Sequence, residues 1–405
     1  MMDSTHQLYL TLLADHIWGR KTVVQPDLVD WVRLQYIIRI QSMSGIAYVQ
    51  LRDALSGMPE HALFLSDLRN RFAAEVFYAV CRKEDFSALE AVLTAHQIAF
   101  LPVKGSVLSQ YYPVWQLRTM GDVDFLIHTE DRARVDELMR DLGYTFFSDT
   151  EAVWSYDRDV NHYEIHDHIF YEPMANDFDY QGYFDGAWEY ARSLPGVTRF
   201  EVDESFHFLY LIAHTAKHIL HKGSGFRPFV DMALMVQKVG ERMRWDWITS
   251  ELERLRLLKF AETCSALCER WFGIGFPIQT GKLSEEFFEC VTQKAFLDGV
   301  FGFQNPENAV ASSTKGVHTV KKNSYYASAL TMTVRHFFPS YQNMREIEWY
   351  SFLDGRPWLL PAAWIYRFYY CLRYKFAHSQ KILKDPYVNR KQIEIRETFI
   401  DNWGL

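Results

Sequence analysis

The sequence predicts an α+β fold: a small mixed sheet with helices over residues 85–202, flanked by helical regions on both sides. Three observations carry this expectation. Before about residue 85, apolar side chains recur every three or four positions, the spacing of helices. Between residues 85 and 202 the pattern changes to helix, strand, loop, strand and helix, followed by further strands. Beyond residue 203 helical spacing returns and persists.

The elements follow in order. Leu8–Trp18, Leu28–Ala47 and Ala62–Cys81 show helical spacing, interrupted by Pro26 and by Gly57-Met58-Pro59. Phe86–His96 reads as a helix with Leu89, Val92 and Leu93 on one face, and Ala99–Val103 as a short buried strand. Lys104-Gly105-Ser106 punctuates that strand, and helical spacing resumes over Val107–Tyr112. A loop containing Pro113 and Arg118 leads to a second apolar strand, Asp122–Ile127. Thr129 is the expected N-cap of a helix that ends at Gly143. Tyr144–Phe147 and His162–Phe170 read as strands. Phe206–Leu220, Val230–Val239, Trp245–Phe272, Glu285–Leu297, Tyr325–Phe338 and Pro361–Phe376 read as helices, with an exposed linker or lid over Gln304–Lys322. Four segments are expected: 1–84, 85–202, 203–303 and 304–405.

Composition bounds the function. A chain of 405 residues is too long for one ordinary core, so two or three domains are expected. Its 48% hydrophobic and 23% charged residues are the balance of a folded chain. The net charge is −8 and no long basic run occurs, so the footprint of a nucleic-acid backbone binder is missing. Cys81, Cys264, Cys268, Cys290 and Cys371 are odd in number and scattered, which fits thiols in a reducing compartment rather than a disulfide framework. The N-terminus lacks the basic start and apolar core of a signal peptide, and Trp358–Leu372 is too short to span a bilayer. A cytoplasmic location is expected.

The chemistry concentrates at Asp122-Val123-Asp124. Residues i and i+2 of a strand share a face, so both carboxylates project the same way, about 7 Å apart at their roots. Two ionised acids that close repel each other unless a cation sits between them, and Mg²⁺ takes one or two carboxylates together with substrate phosphates and water. An Asp-x-Asp alone is most simply the solvated face of a strand. Its position raises it above that: it follows an apolar strand ending in Lys104-Gly105-Ser106 at the opening of a helix, where backbone N–H groups can cradle phosphate. Lys104 and Arg118 add positive charge and Ser106 a hydroxyl.

Glu164 is the candidate third acid, and His162, His166 and His168 share its face. Two other readings stand beside the carboxylate one: a solvated face, or Zn²⁺ on His162, Glu164 and His166. A second group, His214, His218 and His221, falls at i, i+4 and i+7 on one helical face with Lys217 among them. A zinc site is one reading; interior histidines paired with carboxylates or carbonyls, with Asp231 on the next helix as a candidate partner, are the commoner one.

These residues resemble a family. Phe100-Leu-Pro-Val-Lys-Gly-Ser, Leu108, Tyr111, Arg118, Gly121-Asp-Val-Asp-Phe-Leu-Ile and Leu142-Gly-Tyr look like nucleotidyltransferase family 5, within the polymerase-beta-like superfamily. The resemblance continues in Glu164 and His166, in Leu211-Ile-Ala-His-Thr-Ala-Lys-His218 with Arg227 and Asp231, and more loosely in Phe338-Pro-Ser and Met344-Arg345. It departs in having Glu rather than Asp as the third acid, and a longer interval between Ser106 and Asp122 than minimal members show.

The resemblance implies a polymerase-beta-like core with Asp122, Asp124 and Glu164 as catalytic, metal-binding carboxylates for Mg²⁺ or Mn²⁺. Glu164 serves either as ligand or as general base. Lys104, Gly105, Ser106 and Arg118 would bind the nucleotide, and His166, His214, His218, Arg227 and Asp231 would support the site or touch substrate. The implied partners are a nucleoside triphosphate, ATP among them, and an acceptor that charge favours as a small molecule or protein. A non-catalytic nucleotide-binding module of the same fold and a zinc-dependent hydrolase are the alternatives.

Overall fold

A computed structural model describes residues 2–150, 153–171, 174, 176, 178–279, 281–300, 302, 338–341, 344, 348–374 and 390–405. It has two compact units: Met1–Gln304 with Trp403–Leu405, and Asn305–Asn402. In the second, Met344, Tyr350, Leu353 and Ala363 form a small apolar cluster, and a helix spans Leu360–Tyr374. The expected linker Gln304–Lys322 and helix Tyr325–Phe338 lie almost entirely outside the described residues.

The first unit has the predicted α+β architecture. Helices α1 (Ser4–Trp18), α2 (Trp31–Ile40), α3 (Ser44–Leu51) and α4 (Ala62–Ala95) open the chain. The predicted Leu28–Ala47 helix is two helices, because Ser42 adopts φ 52° and turns the chain between them. The two pieces read at Ala62–Cys81 and Phe86–His96 are one 34-residue helix, α4, which passes through residue 85 unbroken.

A five-stranded sheet follows, in the order β1-β2-β5-β4-β3, from Phe100–Val103 (β1), Val123–Ile127 (β2), Thr145–Thr150 (β3), Val153–Arg158 (β4) and Asn161–His166 (β5). β2 and β5 are parallel, and the remaining pairs are antiparallel. Sequence periodicity did not separate β4 from its neighbours, and β5 ends at His166 rather than Phe170. After β1 come the four-residue α5 (Gly105–Leu108) and a loop; after β2 comes α6 (Arg132–Asp141). Thr129 does not cap α6; it opens a 3-10 turn, Thr129–Asp131, that precedes it. A short helix α7 (Tyr180–Phe184) and a hairpin, β6 (Ala191–Ser193) with β7 (Phe200–Val202), lead to α8 (Glu204–His221). Helices α9 (Arg227–Val239), α10 (Trp245–Arg254), α11 (Leu258–Phe272) and α12 (Glu285–Asp298) complete the unit. The predicted Trp245–Phe272 helix is broken at Arg256, which has φ 58°.

The two faces of the sheet have different fates. Val123, Phe125, Ile127, Trp154, Tyr156, Tyr163 and Ile165 pack with Leu89 and Leu93 of α4 and Val135 and Met139 of α6 in one buried cluster. Strand alternation then sends Asp124, Leu126, Glu164 and His166 to the other face. The apolar layer is anchored at its rim by Asp85 of α4, whose carboxylate accepts from Tyr144 (2.6 Å), Tyr163 (2.8 Å) and Arg158. Asp85→Ala removes the acceptor shared by two buried hydroxyls and by a guanidinium that keeps only its bond to Leu142 O. It is expected to cost about 2–4 kcal/mol, read as a lower denaturation midpoint; a loss within error of zero contradicts this role.

Candidate active site

Register assembles the site. Asp124 of β2 sits directly beside Glu164 of β5, and Leu126 beside His166, so the parallel pairing brings one carboxylate of each strand together with an imidazole one step further along. Donor atoms of Asp124, Glu164 and His166 all lie within 4.8 Å of one another, which among the described residues is the one group of three able to hold a metal ion. His166 Nε2 is 2.9 Å from Asp124 Oδ1 and 3.8 Å from Glu164 Oε2. Asp124 and His166 are buried, while Glu164 keeps 30% of its side chain exposed and forms the open edge. Asp122 is half-buried just ahead of β2 and outside that trio. It interacts electrostatically with Glu164, Lys104 and Arg118.

Lys104 completes the cluster from β1. Its Nζ donates to Asp124 Oδ1 at 2.5 Å. The residue has φ 54° and ψ −128°, a conformation that L side chains rarely adopt and that costs of order 1–3 kcal/mol. Its N–H donates to His207 Nε2 of α8 at 3.3 Å, so the turn that carries the ammonium is held from the helical side.

The charges respond to one another. Burial works against ionisation of Asp124, but the Lys104 ammonium and hydrogen bonding with His166 and Lys104 outweigh it and hold this carboxyl well below the usual range. Burial, and next the charge on Asp124, push Glu164 up to about 7. Burial, only partly opposed by Asp124, lowers His166 and keeps its imidazole neutral.

The other predicted nucleotide-binding residues have local partners. Arg118 donates to Asp231 of α9 with Nη2 at 2.8 Å and Nε at 3.2 Å, and Tyr112 donates to the same carboxylate at 2.7 Å. The guanidinium thus ties the loop between β1 and β2 to α9. Gly105 leaves room for it, since a Cβ there would lie 2.6 Å from Arg118 Nη1. Ser106 donates its hydroxyl to Val103 O at 2.9 Å. Arg227 donates to Thr119 Oγ1 at 2.8 Å, bracing the same loop. The support expected of Arg227 and Asp231 is therefore directed at the loop that precedes β2.

The histidines divide. His162 Nδ1 lies 2.5 Å from Asp157 Oδ1, and His162 does not join the Asp124–Glu164–His166 group. His214 and His218 face each other, Nε2 to Nε2, at 2.8 Å; burial depresses both, His218 to about 3, so the pair is neutral. Neither belongs to a three-donor group among the described residues.

Sequence reasoning missed three residues. These are His207, which holds the Lys104 turn; Tyr112, which shares Asp231; and Tyr210, whose buried hydroxyl has no hydrogen-bond partner among the described residues and which interacts electrostatically with Lys104, Asp124 and Glu164. His207, Tyr210, His214 and His218 recur at helical spacing on α8, and that periodicity was the available signal. A cavity of about 400 Å³ lined by Arg132, Trp154 and Tyr156 opens toward the opposite, apolar face of the sheet and includes none of the cluster.

Two acids and an imidazole on paired strands, with an ammonium at one edge, form a site suited to a divalent cation and an anionic substrate. The family described as uncharacterised nucleotidyltransferase matches residues 27–273, more than half of the chain, and the protein belongs to that family. The match begins well before Phe100, the first residue of the motifs that carry the resemblance. No curated protein and no solved structure matches the chain. Membership supports nucleotidyl transfer as the general role and a nucleotide as substrate, and nucleotidyltransferases generally use divalent metals. No described helix is long and apolar enough to cross a membrane.

The shift at Glu164 gives a pH test. Its carboxyl titrates near 7 in the folded chain against an ordinary value of 4.5, so the folded state binds more protons between these values. Its contribution to stability is full below about 4.5 and is lost as pH rises through 7. In buffer with a chelator, Glu164→Gln is expected to be more stable than the parent at pH 8 by about 1 kcal/mol, after discounting for solvent screening. That advantage should fade by pH 5. Equal differences at both pH values contradict the assignment.

Proposed function

We propose that this protein transfers a nucleoside monophosphate from a nucleoside triphosphate to an acceptor hydroxyl and releases pyrophosphate. The observation that carries the reading is the register pairing of Asp124 with Glu164, capped by Lys104, in a chain of the nucleotidyltransferase family. The reaction forms a bond between the acceptor oxygen and the α-phosphorus and breaks the bond from that phosphorus to the bridging oxygen of pyrophosphate. Asp124 and Glu164 would hold a divalent cation, Mg²⁺ or Mn²⁺, which would neutralise the triphosphate and acidify the acceptor hydroxyl.

The side chains do the rest. Asp122 adds negative charge ahead of β2 and, with Asp124 and Glu164, forms the acidic set. Lys104 exchanges Asp124 for a phosphate oxygen and contributes fixed positive charge. Glu164, at the open edge, takes the acceptor proton when it is not a ligand. Gly105 and Ser106 offer backbone N–H groups on the triphosphate side, and Arg118 acts by holding this loop through Asp231. His214 and His218 stand on α8, where an acceptor contact also fits. Along the sequence the catalytic core is assigned to 85–202, after segment 1–84 and before segments 203–303 and 304–405, with α4 running across the first of these boundaries. The net charge of −8 favours a small molecule or protein over nucleic acid as acceptor, and a cytoplasmic site of action fits the free thiols. A non-catalytic binding module is the second reading, disfavoured because it has no use for converging acids beside a strained lysine.

Thermal stabilisation by a panel of nucleoside triphosphates, with and without Mg²⁺ or Mn²⁺, tests the proposal. One nucleotide is expected to raise the midpoint by several degrees only with the cation, and Asp124→Asn is expected to abolish that shift while remaining folded. Stabilisation by no nucleotide, or an undiminished shift in Asp124→Asn, overturns the reading. Stabilisation without transfer to any acceptor supports the binding module instead.

A further inference from the structure

The third donor of the cluster is a nitrogen. We propose that His166 Nε2 is a direct metal ligand, making the centre a mixed carboxylate–imidazole site that takes Mn²⁺ in preference to Mg²⁺. The inference deepens the nucleotidyl-transfer reading of the same site and rests on it.

Geometry supports the ligand set. Donors bound at about 2.0–2.2 Å to one ion lie about 3 Å apart at a right angle and about 4.3 Å apart across it. The observed 2.9 Å from His166 Nε2 to Asp124 Oδ1 and 3.8 Å to Glu164 Oε2 fall within that span. The donors are also built in. Asp124 and His166 are 2% and 3% exposed, on adjacent strands whose register fixes their spacing. Glu164, 30% exposed, leaves a side open for substrate oxygens and water. Asp122, the residue that would have made an all-oxygen set, stands outside the trio.

Donor chemistry then discriminates between ions. Mg²⁺ is hard, demands oxygen ligands and dehydrates reluctantly; Mn²⁺ shares its preference for oxygen but, as a first-row transition ion, loses less when one donor of a mixed site is a nitrogen. A closed tetrahedral zinc site needs a fourth protein ligand, and no such group is present among the described residues. Among the described residues His166 Nδ1 is buried without a hydrogen-bond partner; ligation through Nε2 shifts the ring proton from that nitrogen, which faces the Asp124 carboxylate, to Nδ1, where no far-side group braces the ring. Its orientation comes from the strand and from Asp124, which argues for a moderate rather than extreme contribution to affinity. Lys104 Nζ, 2.5 Å from Asp124 Oδ1, must move from that oxygen when the ion enters, so the lysine is a built-in competitor.

The test reads the metal directly. Electron spin-echo modulation of the Mn²⁺-loaded protein, labelled with ¹⁵N-histidine, is expected to show a coupling typical of bound imidazole. That coupling should vanish in His166→Asn. Calorimetric titration with MnCl₂ and MgCl₂ is expected to favour Mn²⁺ by about tenfold or more in the parent. His166→Asp, which restores an all-oxygen set, is expected to bring the two affinities together. Mn²⁺ bound without nitrogen coupling, or an unchanged preference in His166→Asp, overturns the proposal. Nucleotide stabilisation with Mg²⁺ alongside absent nitrogen coupling sinks this inference and leaves nucleotidyl transfer standing. Nitrogen-coupled Mn²⁺ with no response to any nucleotide does the reverse. Failure of Mn²⁺ to bind at all overturns this inference, and nucleotidyl transfer falls with it only when no nucleotide stabilises the protein with Mg²⁺ either.

Discussion

The site depends on a single buried carboxylate. Asp124 is 2% exposed, and a charge taken that far from water is retained only if partners replace its hydration. Lys104 and His166 both reach the same oxygen, Oδ1, from strands on either side. That requirement explains the rest of the neighbourhood. β1 must end beside β2 so that Lys104 can turn inward, and β5 must run parallel to β2 so that His166 arrives one step beyond Glu164. The unfavourable backbone of Lys104 follows from the same need, and His207 holds it from α8.

A rigid base makes such an arrangement affordable. The face of the sheet opposite Asp124 is sealed by α4 and α6 over a continuous aromatic and aliphatic layer. The loop between β1 and β2 is held by the Arg118–Asp231–Tyr112 group and by Arg227 on Thr119. Arg118, which sequence reasoning placed on the nucleotide, ties down the loop that leads to Asp122 and β2. The same structure divides the histidines into one that joins the acids, one turned aside to Asp157, and a neutral pair on α8.

Much of the fold was legible because periodicity is a local signal. The apolar strands before Lys104 and around Asp124, and the long helical stretches, appear where their spacing placed them. The breaks were not legible. Ser42 and Arg256 carry positive φ without being glycine or proline, so nothing in residue type announced the turns there. β4, with its mixture of Trp, Ser, Tyr, Asp and Arg, lacks strict alternation, and its strand character comes from pairing with β3 and β5.

By itself the sequence determined the α+β class, the Asp-x-Asp strand, the acidic residue on a later strand, and the family to which they point, since each is carried by residue type and short-range spacing. Which donors converge was decided only by tertiary structure. Register between β2 and β5 selects Asp124, Glu164 and His166 as the trio and leaves Asp122 at its margin. The electrostatics of Lys104, the loop-holding role of Arg118 and the place of α8 beside the cluster were decided there too. All of these are contacts between residues tens to more than a hundred positions apart, and no local pattern specifies them.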